Sequence, residues 1–371
     1  VGTADECIAQ HRLFLPDLIK AAGCLLIVVH HLAFYGPMSD AVATAWPALV
    51  AWLHDDARLA VQGFLVVSGF LTARAWQATP AQGTAIVRQV VQRYLRLAMP
   101  LMAALSLTVI ISELIRPVFN HPSLSPAPDW QQSLAHVFFL QHILDMQALS
   151  AGVWYVAIDL QLFALALISF RICGNAQHKL WWLRMIWLAL CLCSVLWWNL
   201  QPQFDDWAIY FCAAYGMGLL AGLARLPHAG SAWPAALVLA VVGVTGWLHE
   251  PRDRLALACV LSLLLTLAPA QWMQGPGGIV RRAVDTLARW SFSVFVVHFG
   301  VGLAVNAVFD RWVPGTPGLQ AWGMVCALLL SLLAGAALYH LVERPRPTPG
   351  RWAGLAGGFL ASSALAMWLS G

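Results

Sequence analysis

Two histidines, His30 and His31, stand at the far end of an apolar stretch that opens with Pro16-Asp17-Leu18-Ile19-Lys20 and continues unbroken through Ala21–Val29. Ionisable groups inside a bilayer are costly, so an intramembrane histidine pair is a candidate functional site by default. Lys20 precedes His31 by eleven residues, about three helical turns, which puts both on one face about 16 Å apart along the axis. Neutral imidazole suits a proton acceptor near neutral pH. The chemistry these residues fit is removal of a proton from a group that enters from one side. A snorkelling anchor lysine and histidines hydrogen-bonded to a neighbouring helix give the same pattern without chemistry.

Other segments carry comparable residues. Arg93 and Arg96 share a helix face before Pro100, a spacing that suits phosphate recognition or a topology-setting cation pair. Asp159, within Trp154-Tyr155-Val156-Ala157-Ile158-Asp159-Leu160-Gln161, is a carboxylate inside an apolar run and must have a partner. Ser291-Phe292-Ser293-Val294-Phe295-Val296-Val297-His298 supplies a second intramembrane histidine. Ser68-Gly69 in the run Gly63–Leu71 offers small residues that let helices approach. Glu343-Arg344-Pro345 reads as a helix stop with a local ion pair.

The elements that must position these residues are membrane helices. Of 371 residues, 60% are hydrophobic and only 10% charged, and the mean hydropathy is +0.71, which excludes an ordinary soluble fold. Runs of about twenty apolar residues predict spans near 17–36, 59–77, 95–115, 150–171, 180–199, 207–224, 232–248, 255–273, 290–309, 321–342 and 352–370. Residues 134–148 are apolar but interrupted by His136, Gln141, His142 and Asp145, and read as an interfacial or re-entrant segment. The expectation is an all-α polytopic bundle of about ten to eleven spans, forming one domain over 1–371.

Charge distribution gives the sidedness. With the N-terminus cytoplasmic, sixteen of the 21 Lys and Arg fall on the inner side and five on the outer. The net charge of +4 therefore reflects topology and does not point to nucleic acid. Most of the nineteen tryptophans lie near span ends, as interfacial anchors do. The first residues, with Asp5, Glu6, His11 and Arg12, lack the apolar core of a signal peptide. The eight cysteines, Cys7 among them, have no C-x-x-C pair and suit packing better than disulfides or a metal.

Taken in order, the motifs from Asp17 to Pro345 resemble the integral-membrane acyltransferase family 3. Asp17, Lys20 and His31 fall where that family carries Asp, Arg and His. Ser68-Gly69-Phe70-Leu71, Arg93 with Arg96, Trp154 with Asp159 and Gln161, Ser291–His298 and Glu343-Arg344-Pro345 match its later motifs. Lys20 for Arg, Gln62 for Asp and Asp159 for Glu are departures. The last apolar run, 352–370, lies beyond the matched core of about 17–345.

The resemblance implies an acyl-coenzyme A donor, acetyl-coenzyme A above all, no metal, and a glycan or related hydroxyl acceptor, in the bacterial inner membrane. His31, with Asp17 and Asp159, would be catalytic, and Lys20, Arg93, Arg96 and Ser68 would hold the donor. His30, Trp154, Tyr155, Gln161, His298 and Glu343 would line or support the site. His31 could act as general base or become acylated itself; both routes fit the residues. Two rival readings are a proton-coupled transporter with His31, Asp159 and His298 as relay, and an acyltransferase acting on a lipid or small metabolite.

Overall fold

In the computed structural model the described residues are 12–76, 83–174, 178–227 and 229–370, and they are helical with no strands. The readings of Asp5, Glu6, Cys7 and His11 lie outside them. In chain order the helices are α1 (Phe14–Phe34), α2 (Pro37–Ala43), α3 (Pro47–Asp55), α4 (Ala60–Trp76), α5 (Gly83–Ile115), α6 (Trp130–Val137), α7 (Val153–Cys173) and α8 (Lys179–Leu196). They continue with α9 (Ala208–Ala224), α10 (Trp233–His249), α11 (Asp253–Leu267), α12 (Ala270–Gln274), α13 (Gly278–Trp312), α14 (Pro317–Leu338) and α15 (Pro349–Ser370). Prolines open α2, α3, α14 and α15, where the missing N–H would be unpaired in any case. Ten of the eleven apolar runs fall on a single long helix each, whereas 255–273 is split into α11 and α12 at Ala268-Pro269. Eight helices among the described residues are long and apolar enough to cross a membrane by length and composition.

The chain divides into two compact units. The first holds residues up to Gly23, Leu59–Gln82 and Leu165–Arg289; the second holds Cys24–Arg58, Gly83–Ala164 and Trp290–Gly371.

In the first unit α4 and α9 run parallel at close range. Gly218 packs on the Val66 carbonyl, Gly222 on that of Phe70, and Gly69 on that of Tyr215, positions where a Cβ would collide with backbone. Small residues give helices this approach in lipid, where no hydrophobic force drives them together. The Tyr215 hydroxyl donates to Thr72 Oγ1 at 2.9 Å across the same seam. α8 is antiparallel to α9, with Trp187 against Tyr215 and the Ser194 hydroxyl donating to the Tyr210 carbonyl at 2.9 Å.

In the second unit α1 and α13 run parallel. Cys24 Sγ reaches the Ser291 carbonyl (3.5 Å), and His31 meets His298 seven residues further along each helix. α5 and α15 are also parallel: Tyr94 lies beside Trp352 (ring centroids 6.1 Å) and Glu113 beside Ser370 (3.5 Å). α14 is antiparallel to α13, with Gly335 on Val294 and Gly323 on Phe309.

Residues 134–148 form no long helix. Asp129 caps α6 in a capping box with Gln132. The chain leaves Arg116, whose guanidinium donates to the Ser125 carbonyl (3.0 Å), and α6 then carries it to Tyr94, whose hydroxyl donates to the Val137 carbonyl (2.6 Å). Tyr94 and Arg116 are separated by about 33 Å along α5. The segment therefore folds back along most of that helix, the re-entrant form of the expectation.

Candidate active site

The parallel packing of α1 on α13 brings the two intramembrane histidines into contact. His31 Nδ1 lies 2.6 Å from His298 Nε2, with the rings nearly parallel (9°) and their centroids 4.8 Å apart. The network assigns the protons. His298 Nδ1 faces the Val294 carbonyl at 3.3 Å, and a carbonyl can only accept, so this nitrogen carries the hydrogen. In a neutral ring Nε2 is then the acceptor, and His31 Nδ1 must donate to it. That leaves the lone pair of His31 on Nε2. His298 is 1% exposed, whereas His31 keeps accessible surface.

Aromatic rings surround the pair. Tyr35 lies 5.7 Å from His31 and 5.1 Å from Phe299; Phe295 lies 6.1 Å from His298 and 5.4 Å from Tyr155, which in turn meets Trp154. Gly152, at φ +85°, sits on the Phe295 ring, so the start of α7 closes against the same wall. The structure thus unites His31, His298, Tyr155 and the Ser291–His298 motif in the second unit. His30 turns away and donates from Nδ1 to the Leu53 carbonyl at 3.1 Å.

Arg93 and Asp159, assigned separately from sequence to donor binding and to catalysis, are partners. Arg93 Nε and an Nη reach the same carboxylate oxygen at 3.1 and 2.5 Å, and Asp159 is 1% exposed. Arg93 also lies over the Phe163 ring. Arg96, one turn on, is exposed. Ser293 donates to Glu343 Oε2 at 2.6 Å, and Glu343 closes a π-helical turn, Tyr339–Glu343, that ends the α14 span. Glu343 thus accepts from α13, a bond that the helix-stop reading of its motif did not include. Trp154 and Gln161 are half-buried on α7.

The other named residues belong to the first unit. Asp17 is buried and held by Arg12 through two hydrogen bonds, 2.7 and 2.8 Å. Arg281 donates to the Arg12 carbonyl (2.9 Å) and pairs with Asp285. Lys20 and Ser68 are half-buried, and the Ser68 carbonyl accepts from Thr72 Oγ1.

Asn306 is a site-building residue that the sequence reading passed over, although the cost of polar groups in membranes would have flagged it. It is 1% exposed; its Oδ1 accepts from Met38 N–H (3.3 Å) and its Nδ2 donates to the Tyr35 and Gly302 carbonyls (3.2 and 3.0 Å). It fastens the chain just past α1 to α13. Gly36, at φ +120°, lies directly on this amide. Gly36→Ala is expected to cost about 1–3 kcal/mol from backbone strain alone, with further loss from collision with Asn306. A lowered melting temperature of the detergent-purified variant checks this; an unchanged one would contradict it.

Among the described residues no group of three or more His, Cys, Asp or Glu side chains is placed to hold a metal ion. No curated protein and no solved structure matches the chain. A family profile described as "Acyltransferase domain" matches residues 15–369 and so takes in α15 as well as the motif-bearing core. With nearly its whole length covered by that profile and eight helices long and apolar enough to cross a membrane among the described residues, the chain belongs to acyltransferase family 3, a family of membrane acyltransferases.

Proposed function

We propose that the chain is an acyl-coenzyme A-dependent O-acyltransferase in which His31 is the general base and a hydroxyl of a glycan or related molecule is the acceptor. The observation that carries this reading is the histidine pair: His298 holds His31 Nδ1–H at 2.6 Å and thereby leaves Nε2 bare for a substrate proton. Nε2 takes the acceptor hydroxyl proton as the oxygen attacks the thioester carbonyl. The carbon–sulfur bond then breaks, and the departing thiolate recovers that proton from His31 to leave as free coenzyme A. Protons and charge balance without any other co-reactant. His298 does not touch substrate in this scheme; it fixes the tautomer and orientation of His31, as orienting partners of catalytic imidazoles do.

The donor would enter from the end of α5 that carries the arginines. Arg93 is committed to Asp159, so Arg96 is the better-placed cation for the phosphates of coenzyme A. Charge-assisted hydrogen bonds contribute about 1.5–3 kcal/mol, and exposure puts Arg96 at the low end. Arg96→Ala is expected to weaken acetyl-coenzyme A binding about tenfold by calorimetry and to change kcat far less. Wild-type affinity in this variant would remove Arg96 from the donor site. The sixteen-to-five charge bias supports a cytoplasmic N-terminus and donor entry from that side, with the acceptor on the opposite face of the inner membrane.

A further inference from the structure

The re-entrant segment carries a buried side chain that the scheme above leaves unused. Gln141 is fully buried (0%), and among the described residues neither its Nε2 nor its Oε1 has a hydrogen-bond partner. Buried polar side chains are nearly always paired, and an unpaired amide is destabilising. The loop that presents it is held firmly. Gln132 Nε2 donates to the Gln147 carbonyl (2.7 Å), and His136 Nε2 accepts the Leu149 N–H (3.1 Å) while its Nδ1 donates to the Gln132 carbonyl (2.8 Å). Phe139 (φ +61°) and Asp145 (φ +51°), both non-glycine residues in the left-handed region, bracket Gln141. Strain of this kind persists only where the surrounding structure imposes it, and it clusters at ligand sites.

Position along the donor path gives the amide a purpose. Val137 and Phe139 contact Tyr94, which shares a face of α5 with Thr108 and lies about 200° around the helix from Arg96. Gly300, two residues past His298, lies beside Thr108, which is about 18 Å beyond Arg96 along α5. Between phosphates at Arg96 and a thioester at His31 must run the flexible arm of coenzyme A, whose two secondary amides lose water as they enter an apolar interior. A glutamine side chain is complementary to a secondary amide: Nε2 donates to its carbonyl while Oε1 accepts its N–H. Resting on the acyl-coenzyme A reading, we infer that Gln141 binds an amide of the pantetheine arm and that the re-entrant segment forms the wall of the donor channel.

The test measures two ligands on the full chain in detergent, wild type and Gln141→Leu: acetyl-coenzyme A, and adenosine 3′,5′-bisphosphate, which has the nucleotide end without the arm. The variant is expected to bind acetyl-coenzyme A at least about tenfold more weakly and the bisphosphate as wild type does. Its ligand-free melting temperature should stay level or rise, because an apolar side chain replaces an unpaired amide. Unchanged acetyl-coenzyme A affinity would overturn the inference, as would an equal loss for both ligands. A fall in melting temperature with affinity intact would assign Gln141 to an internal water network instead, and would also overturn it. Failure of the wild type to bind acetyl-coenzyme A would defeat the acyl-coenzyme A reading itself, a result distinct from all of these.

Discussion

Replacing His31 by Ala is expected to lower acyl transfer by about 10²–10⁴-fold, the range associated with loss of a general base. Binding of acetyl-coenzyme A should change little, because the imidazole acts on the reacting proton and not on the nucleotide. The alanine variant also strips His298 Nε2 of its donor inside a nearly fully buried site, which lowers stability somewhat. His31→Asn separates the two effects. Its amide N–H can still donate to His298, but it offers no basic nitrogen, so activity should fall as far as in the alanine variant with stability retained. More than about a tenth of wild-type activity in either variant would reject His31 as the base. His30→Ala should be much milder, since that ring is engaged with the Leu53 carbonyl.

Arg93→Ala is expected to be far more destabilising than Arg96→Ala. It takes from the Asp159 carboxylate, 1% exposed, the guanidinium that donates to it twice. Removing one partner of a fully buried ion pair typically costs about 3–5 kcal/mol; the Arg93 side chain is 34% exposed, so the loss should lie at or below the low end of that range, while an exposed arginine such as Arg96 costs within about 0.5 kcal/mol. Removing both charges should recover most of the loss, because well-packed apolar replacements of a buried pair are often neutral or better. Melting temperatures of Arg93→Ala, Arg96→Ala and the double variant Arg93→Met, Asp159→Leu in one detergent make the comparison. Equal melting of the two alanine variants would show that Arg93 does not hold Asp159 in the protein.

The helices and their order were legible because a bilayer imposes long apolar runs, and such runs can be read without tertiary information. The special standing of His31, His298 and Asp159 was legible for the same reason: each is a polar group in an apolar run. Their partners were not. His31 and His298 are 267 residues apart, and Arg93 and Asp159 are 66 apart; nothing local specifies which charge meets which. Arg93 was therefore read as a donor ligand and Asp159 as a catalytic residue in need of a partner, and only packing shows that each is the other's partner. The break at His136, Gln141, His142 and Asp145 was visible as an interruption. Its return to Tyr94 is made through the Val137 carbonyl, a contact that nothing in the local sequence announces, and the left-handed turn that follows at Phe139 falls on a residue type that gives no signal for that conformation. Asn306 met the polar-in-membrane criterion, but its use as a clasp on Gly36 depends on a glycine conformation that the sequence does not display.

Sealed membrane vesicles containing the protein test donor, base and sidedness in one measurement. Radiolabelled acetyl-coenzyme A is added outside inside-out and right-side-out vesicles carrying wild type or His31→Asn, and label is counted in alkali-labile esters. Acyl transfer from the cytoplasmic side by His31 gives ester label in wild-type inside-out vesicles, none in right-side-out vesicles, and a loss of about 10²-fold or more in inside-out vesicles of the variant. Absence of ester label from wild-type inside-out vesicles, equal labelling of right-side-out vesicles, or undiminished labelling by His31→Asn would contradict it.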